Sequence, residues 1–124
     1  ATRDTAWRWM TGLVGRGVAL ATDYGHVRAE RRTTHRRGTL RAYRHGQVCP
    51  PRVDGSVGIT ADVSVDSCMA AVTGSTLTTQ RHALDGMSAG PLSSPAALER
   101  HFDLIRLRDP AGLGRFHWLR WETW

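Results

Sequence analysis

The chain has 124 residues, of which 40% are hydrophobic and 23% charged, with a formal net charge of +6. That length and composition suit one domain spanning 1–124 with a packed core, and set aside an intrinsically disordered chain. No run is long and apolar enough to read as a transmembrane helix.

Taken in order, the first segment, Thr5–Val14, carries two patterns. Asp4 can cap a helix with Ala6, Met10 and Leu13 on one face. Trp7 and Trp9 around Arg8 alternate as in a strand, and Gly12, Gly15 and Gly17 weaken a long helix. Val18–Thr22 reads as a short strand and Asp23-Tyr24-Gly25 as a turn. Val27–Thr34 and Thr39–Arg44 read as two strands joined through His35–Gly38, a hairpin with a basic face and a basic tip. Cys49-Pro50-Pro51 imposes an extended or turning backbone, and Asp54-Gly55 marks a turn.

The clearest strand follows. Ile59, Ala61, Val63 and Val65 alternate with Thr60, Asp62, Ser64 and Asp66, giving one apolar and one acidic, hydroxylated face. Gly74-Ser75 turns, and Thr76–Gln80 reads as a further strand. Gly86–Pro95 is a loop. Ser94 caps a helix that starts at Pro95, runs to about Phe102 and buries Leu98 and Phe102. Residues 102–107 then switch to a strand, Asp109–Gly112 turns, and Arg115–Glu122 is the last strand. The expected fold is α+β and β-rich: a single small domain, mainly antiparallel sheet (sandwich or barrel-like), with one or two short helices.

All 17 basic residues are arginine, and the chain holds no lysine or asparagine, which fits a GC-rich bacterial coding bias. Bias does not explain their placement. Residues 1–53 carry 11 arginines against 3 acids, a net of +8, and the remainder carries 6 against 8, a net of −2. Arg28, Arg31, Arg32, Arg36, Arg37, Arg41 and Arg44 are the candidate polyanion-binding set, because guanidinium groups match phosphate geometry. Arg31 and Arg41 are also placed to pair with Asp62 or Asp66. Tyr43 is the one aromatic among them, so base stacking is poorly supported.

Cys49 and Cys68 read as one disulfide, closing a loop worth about 3 kcal/mol. With a chain that begins at Ala1 rather than Met, the pair points to a processed, exported protein. Trp7, Trp9, Trp118, Trp121 and Trp124 lie near the two ends and are the candidate partner-binding aromatics. The six histidines are scattered; His101 with Asp103 and His82 with Asp85 are conceivable dyads, and Ser67 lacks a nucleophile elbow. Gly12–Gly17 fits neither the phosphate-loop nor the dinucleotide pattern. No catalytic residue, metal ligand set or cofactor is assigned.

The reading that follows is a small secreted, disulfide-stapled interaction module without catalytic activity. It would meet a protein or glycan partner through tryptophans, an anionic surface through the basic hairpin, and a second copy of itself if it oligomerises. The alternatives are a cytoplasmic nucleic-acid-binding domain using Arg28–Arg44, and a small His/Asp-dependent enzyme.

Overall fold

Helix α1 (Thr2–Gly12) leads into strand β1 (Gly17–Asp23). The structure is a computed structural model that describes residues 2–36 and 38–124; Ala1 and Arg37, and the expectations placed on them, lie outside it. In the first segment the helical pattern wins, but on a different face from the one expected. Trp7 and Thr11 are buried one turn apart, and Met10 and Val14 pack beside them, while Leu13 and Trp9 face outward. The Thr11 hydroxyl donates back to the Trp7 carbonyl at 3.1 Å, which satisfies a polar group inside an apolar stripe.

Strand β1 pairs antiparallel with β8 (His117–Thr123), and β8 pairs antiparallel with β7 (Thr76–Thr79). Strands β1 and β7 therefore run in the same direction on either side of β8. The register sets Asp23 and Thr79, the carboxyl ends of β1 and β7, both opposite His117. Trp7, Ala19, Cys68 and Leu119 form the buried core between α1, this sheet and helix α2 (Val65–Ala70). A buried leucine such as Leu119 contributes roughly 2 kcal/mol.

The long alternating stretch around residue 60 breaks at Asp62 into β5 (Gly58–Ala61) and β6 (Val63–Ser64), and α2 starts at Val65 instead of continuing the strand. Strand β2 (Gly25–His26) pairs parallel with β6. That pairing requires glycine, since a Cβ at Gly25 would sit 2.5 Å from the Val63 carbonyl oxygen and 2.7 Å from Val65 Cγ1.

The expected basic hairpin is replaced by a different local structure. Residues Arg28–Arg32 form a 3₁₀ helix. Glu30 organises it: its carboxylate accepts from the Val27 N–H at 2.9 Å, and its carbonyl accepts from Thr33, Thr34 and His35. One residue, through its carboxylate and its carbonyl, thus captures donors that a strand ladder would need. The real hairpin is one element later, between β3 (Leu40–Arg44) and β4 (Gln47–Cys49), with β5 on the other side of β3. It turns at His45 and Gly46, whose φ values are 50° and 78°, as a two-residue hairpin loop demands.

Helix α3 (Gln80–Ala83) follows β7, and α4 (Pro95–Arg108) begins at the Ser94 cap, whose hydroxyl accepts from Ala97 N–H. Helix α4 does not stop at Phe102 to become a strand. Arg108, in its last turn, donates from Nε to the Leu84 carbonyl at 3.0 Å and ties that end to α3. Ala97 is buried on this helix, whereas Leu98 and Phe102 are exposed. The fold is the mixed α/β, largely antiparallel arrangement expected; among the described residues its strands form sheets of three, two and three, with more helix than the sequence indicated.

Candidate active site

Ligands on open α/β sheets bind beyond the carboxyl ends of the parallel strands. Here those ends are Asp23 and Thr79, both opposite His117. Two cavities open there and share His117.

The first, about 260 Å³, is apolar and lies under α1. Trp7, Met10, Ala21, Val63, Cys68 and Leu119 line it, with Arg3 and Asp23 at its edge. The second, about 180 Å³, is polar and lined by Tyr24, Glu30, His35, Arg41, Asp62 and His117.

Asp62 is the centre of the polar cleft. Its side chain is 4% exposed and its backbone N–H is held by the Thr39 carbonyl. One carboxylate oxygen, Oδ2, accepts from Arg41 Nη2 at 2.9 Å and lies 3.5 Å from His35 Nδ1. The other, Oδ1, is buried without a partner among the described residues. A carboxylate beside Nδ1 fixes the imidazole and leaves Nε2 as the nitrogen that can exchange a proton. The His35 ring lies 5.1 Å from that of His26.

His26 is buried and accepts at Nε2 from Arg31 Nε, 2.9 Å away. The ring must be neutral to accept, so its proton sits on Nδ1, which has no partner among the described residues. Burial lowers the His26 pKa, and the Arg31 charge and His35 lower it further, against the pull of Asp62 and Asp66. Burial likewise lowers the His117 pKa, opposed by Glu30, and its Nδ1 is also buried and unpaired among the described residues. Arg31 reaches Ser64 Oγ as well.

The predicted site residues disperse. Arg28, Arg31 and Arg41 gather around this region; Arg41 is spent on Asp62, while Arg32 and Arg36 face solvent. Arg44 lies at the far hairpin. Trp7 is a core residue that donates to Ser75 Oγ at 3.0 Å. Trp118 donates to Gln80 Oε1 at 3.1 Å and Trp121 is half-buried, while Trp9 and Trp124 are exposed. The tryptophans therefore do not form one platform. The His82 ring is bonded to the Thr79 hydroxyl rather than to the Asp85 carboxylate, and His101 on α4 is half-buried.

The cysteine bridge is a correction: both thiols are free. Cys68 sits in the core and donates to Asp4 Oδ1 at 3.4 Å, while Cys49 belongs to the separate β3–β4–β5 sheet. Sequence reasoning placed His35 at a hairpin tip and read Asp23-Tyr24-Gly25 as a plain turn. The missed signal is the Asp-Tyr-Gly-His run directly after an apolar strand, where a glycine and a histidine must approach a second strand.

The profile of the family described as "Putative S-adenosyl-L-methionine-dependent methyltransferase" matches residues 4–83. The chain belongs to this family. A search of curated protein sequences finds no match. Among solved structures, an ACR, COG1565 superfamily protein from Burkholderia thailandensis has 19% identity and a TM-score of 0.69, over 97% of this chain and 36% of that one. A COG1565 superfamily member from the same organism, bound to S-adenosyl-homocysteine, has 18% identity and a TM-score of 0.66, over 97% and 35%. The chain thus spans about a third of the length of these structures and shares their fold. Family membership overturns the reading as a non-catalytic binding module, as the free cysteines overturn its staple.

S-adenosyl-methionine carries a nucleoside and an amino-acid end. Nucleotide-type ligands on such sheets are held by a glycine-rich turn from strand to helix, with an acid for the ribose hydroxyls. The glycine-rich run Gly12–Gly17 connects a helix to the amino end of β1, opposite Thr123, at the wrong end of the sheet. This run therefore does not form that cradle.

Proposed function

We propose that this chain is part of an S-adenosyl-methionine-dependent methyltransferase, and that the cleft around Asp62 holds the group that accepts the methyl. The observation that carries the reading is the family match over residues 4–83. The shared fold with a structure bound to S-adenosyl-homocysteine supports it, and so does the cleft's place at the carboxyl ends of β1 and β7.

In this reading Asp62 orients His35, and His35 Nε2 takes the proton that a nitrogen or oxygen acceptor must lose. Arg41 donates to Asp62 and holds its side chain in place. Tyr24 and Glu30 border the acceptor, and His117 stays neutral between the polar and apolar cavities.

The test uses the protein as encoded, with S-adenosyl-methionine labelled in the methyl group and an extract from cells lacking it as the acceptor pool. Labelled product is expected, with His35→Gln lowering transfer about 100-fold at unchanged affinity for S-adenosyl-homocysteine. No transfer by the intact protein, or transfer indifferent to His35→Gln and Asp62→Asn, sinks the reading.

A further inference from the structure

A groove on the other side of Arg31 from His26 is not used by the cleft. It measures about 370 Å³ and is lined by Arg28, Arg31, Ser64, Asp66 and Ser67. Arg31 and Ser64 also line a neighbouring opening of about 380 Å³ with Arg3, His26 and Thr39.

The acid in this groove is tied down. Asp66 Oδ2 accepts from the Arg28 backbone N–H at 2.7 Å, and Oδ1 accepts from the Ser67 N–H at 2.9 Å and the Ser64 hydroxyl at 3.0 Å. Its lone pairs are committed to the framework that joins the 3₁₀ helix to α2. The bases are not tied down in the same way. The exposed Arg28 guanidinium has no hydrogen-bond or ion-pair partner among the described residues, and Arg31 spends Nε and Nη2 on His26 and Ser64, leaving Nη1. In a 3₁₀ helix residues three apart eclipse, so Arg28 and Arg31 share one face. Two guanidinium groups thus line one recess, with Arg31 locked in place by the buried His26; the Ser67 hydroxyl at its wall donates to Asp4 Oδ2 at 3.0 Å.

We propose that this groove binds an oxyanion, a phosphate or carboxylate group of a small molecule, between Arg28 and Arg31. Guanidinium forks match such groups by paired N–H donation. The site goes beyond the methyltransferase reading and stands without it, since it needs no methyl donor. Arg32, Arg36 and Arg44 are left out: they face solvent away from the recess.

The experiment is an amide NMR titration of the chain with inorganic phosphate and with acetate, against sodium chloride at matched ionic strength. Saturable shifts at Ser64, Asp66 and Ser67 are expected with phosphate, acetate or both, and the arm that saturates names the oxyanion. Arg28→Gln should weaken binding about tenfold, the loss of one charge-assisted contact, while Arg44→Gln leaves it unchanged. Arg28→Lys should recover part of the affinity, and the melting temperature of each variant confirms folding. Shifts equal to those with chloride overturn the proposal. A single-stranded oligonucleotide bound with equal losses on Arg28→Gln, Arg32→Gln, Arg36→Gln and Arg44→Gln also overturns it, because that pattern marks an extended polyanion surface. Methyl transfer is read in a separate assay, so its failure would leave this site untouched.

Discussion

Arg41 Nη2 donates to Asp62 Oδ2 across 2.9 Å, joining the middle of β3 to the point where the next long strand breaks. Asp62 is buried and Arg41 is half-exposed, so the two halves of the pair are not equivalent. Arg41→Ala should cost about 2–3 kcal/mol, because it strands a buried carboxylate. Asp62→Asn should cost less, since it leaves no buried charge. Urea unfolding of the two variants checks the order; equal costs would mean the pair carries no desolvation asymmetry.

Gly25→Ala should lower stability by about 2–4 kcal/mol, because its Cβ would meet backbone and the packed Val65 side chain. Gly12→Ala meets nothing within 4 Å and lies at the end of α1, so it should be neutral or gain about 0.5 kcal/mol. Thermal unfolding of both variants tests this.

Trp7→Ala should cost about 3–5 kcal/mol, since it empties a core site and leaves Ser75 without its donor. Trp9→Ala and Trp124→Ala, both exposed, should stay within about 0.5 kcal/mol. A common loss across all three would restore the idea of one aromatic cluster.

A thiol reagent should label Cys49 in the folded protein and reach Cys68 only after unfolding. Burial raises the Cys68 pKa and the Asp4 carboxylate raises it further, so little thiolate forms at pH 8. Mass spectrometry of the untreated protein should show two free thiols. A mass about 2 Da lower would reveal a bond between them.

Stability should fall as pH drops below the ordinary histidine range. His26 and His117 are held neutral by burial, His26 also by Arg31. Both have folded pKa values below the unfolded 6.5, so the unfolded chain takes up protons first. Their contribution is complete above pH 6.5 and declines toward the lower folded values. Chemical unfolding between pH 7.5 and 5 checks the slope, and His26→Gln should flatten it.

The sequence by itself determined the elements whose signals are local. Short apolar or threonine-rich runs bounded by turn residues located β1, β7 and β8, and Ser94-Pro95 located the start of α4, because cap and propensity act within one or two turns. It also paired Arg41 with Asp62 as one of its options. Tertiary structure decided what depends on distant partners. Glu30 diverted Arg28–Arg32 from strand to 3₁₀ helix, and Asp62 ended a strand by binding β3. His35 and His26 met across a gap in sequence that no spacing rule covers. The site was illegible because its residues come from the ends of elements, where contacts set conformation more than propensity does.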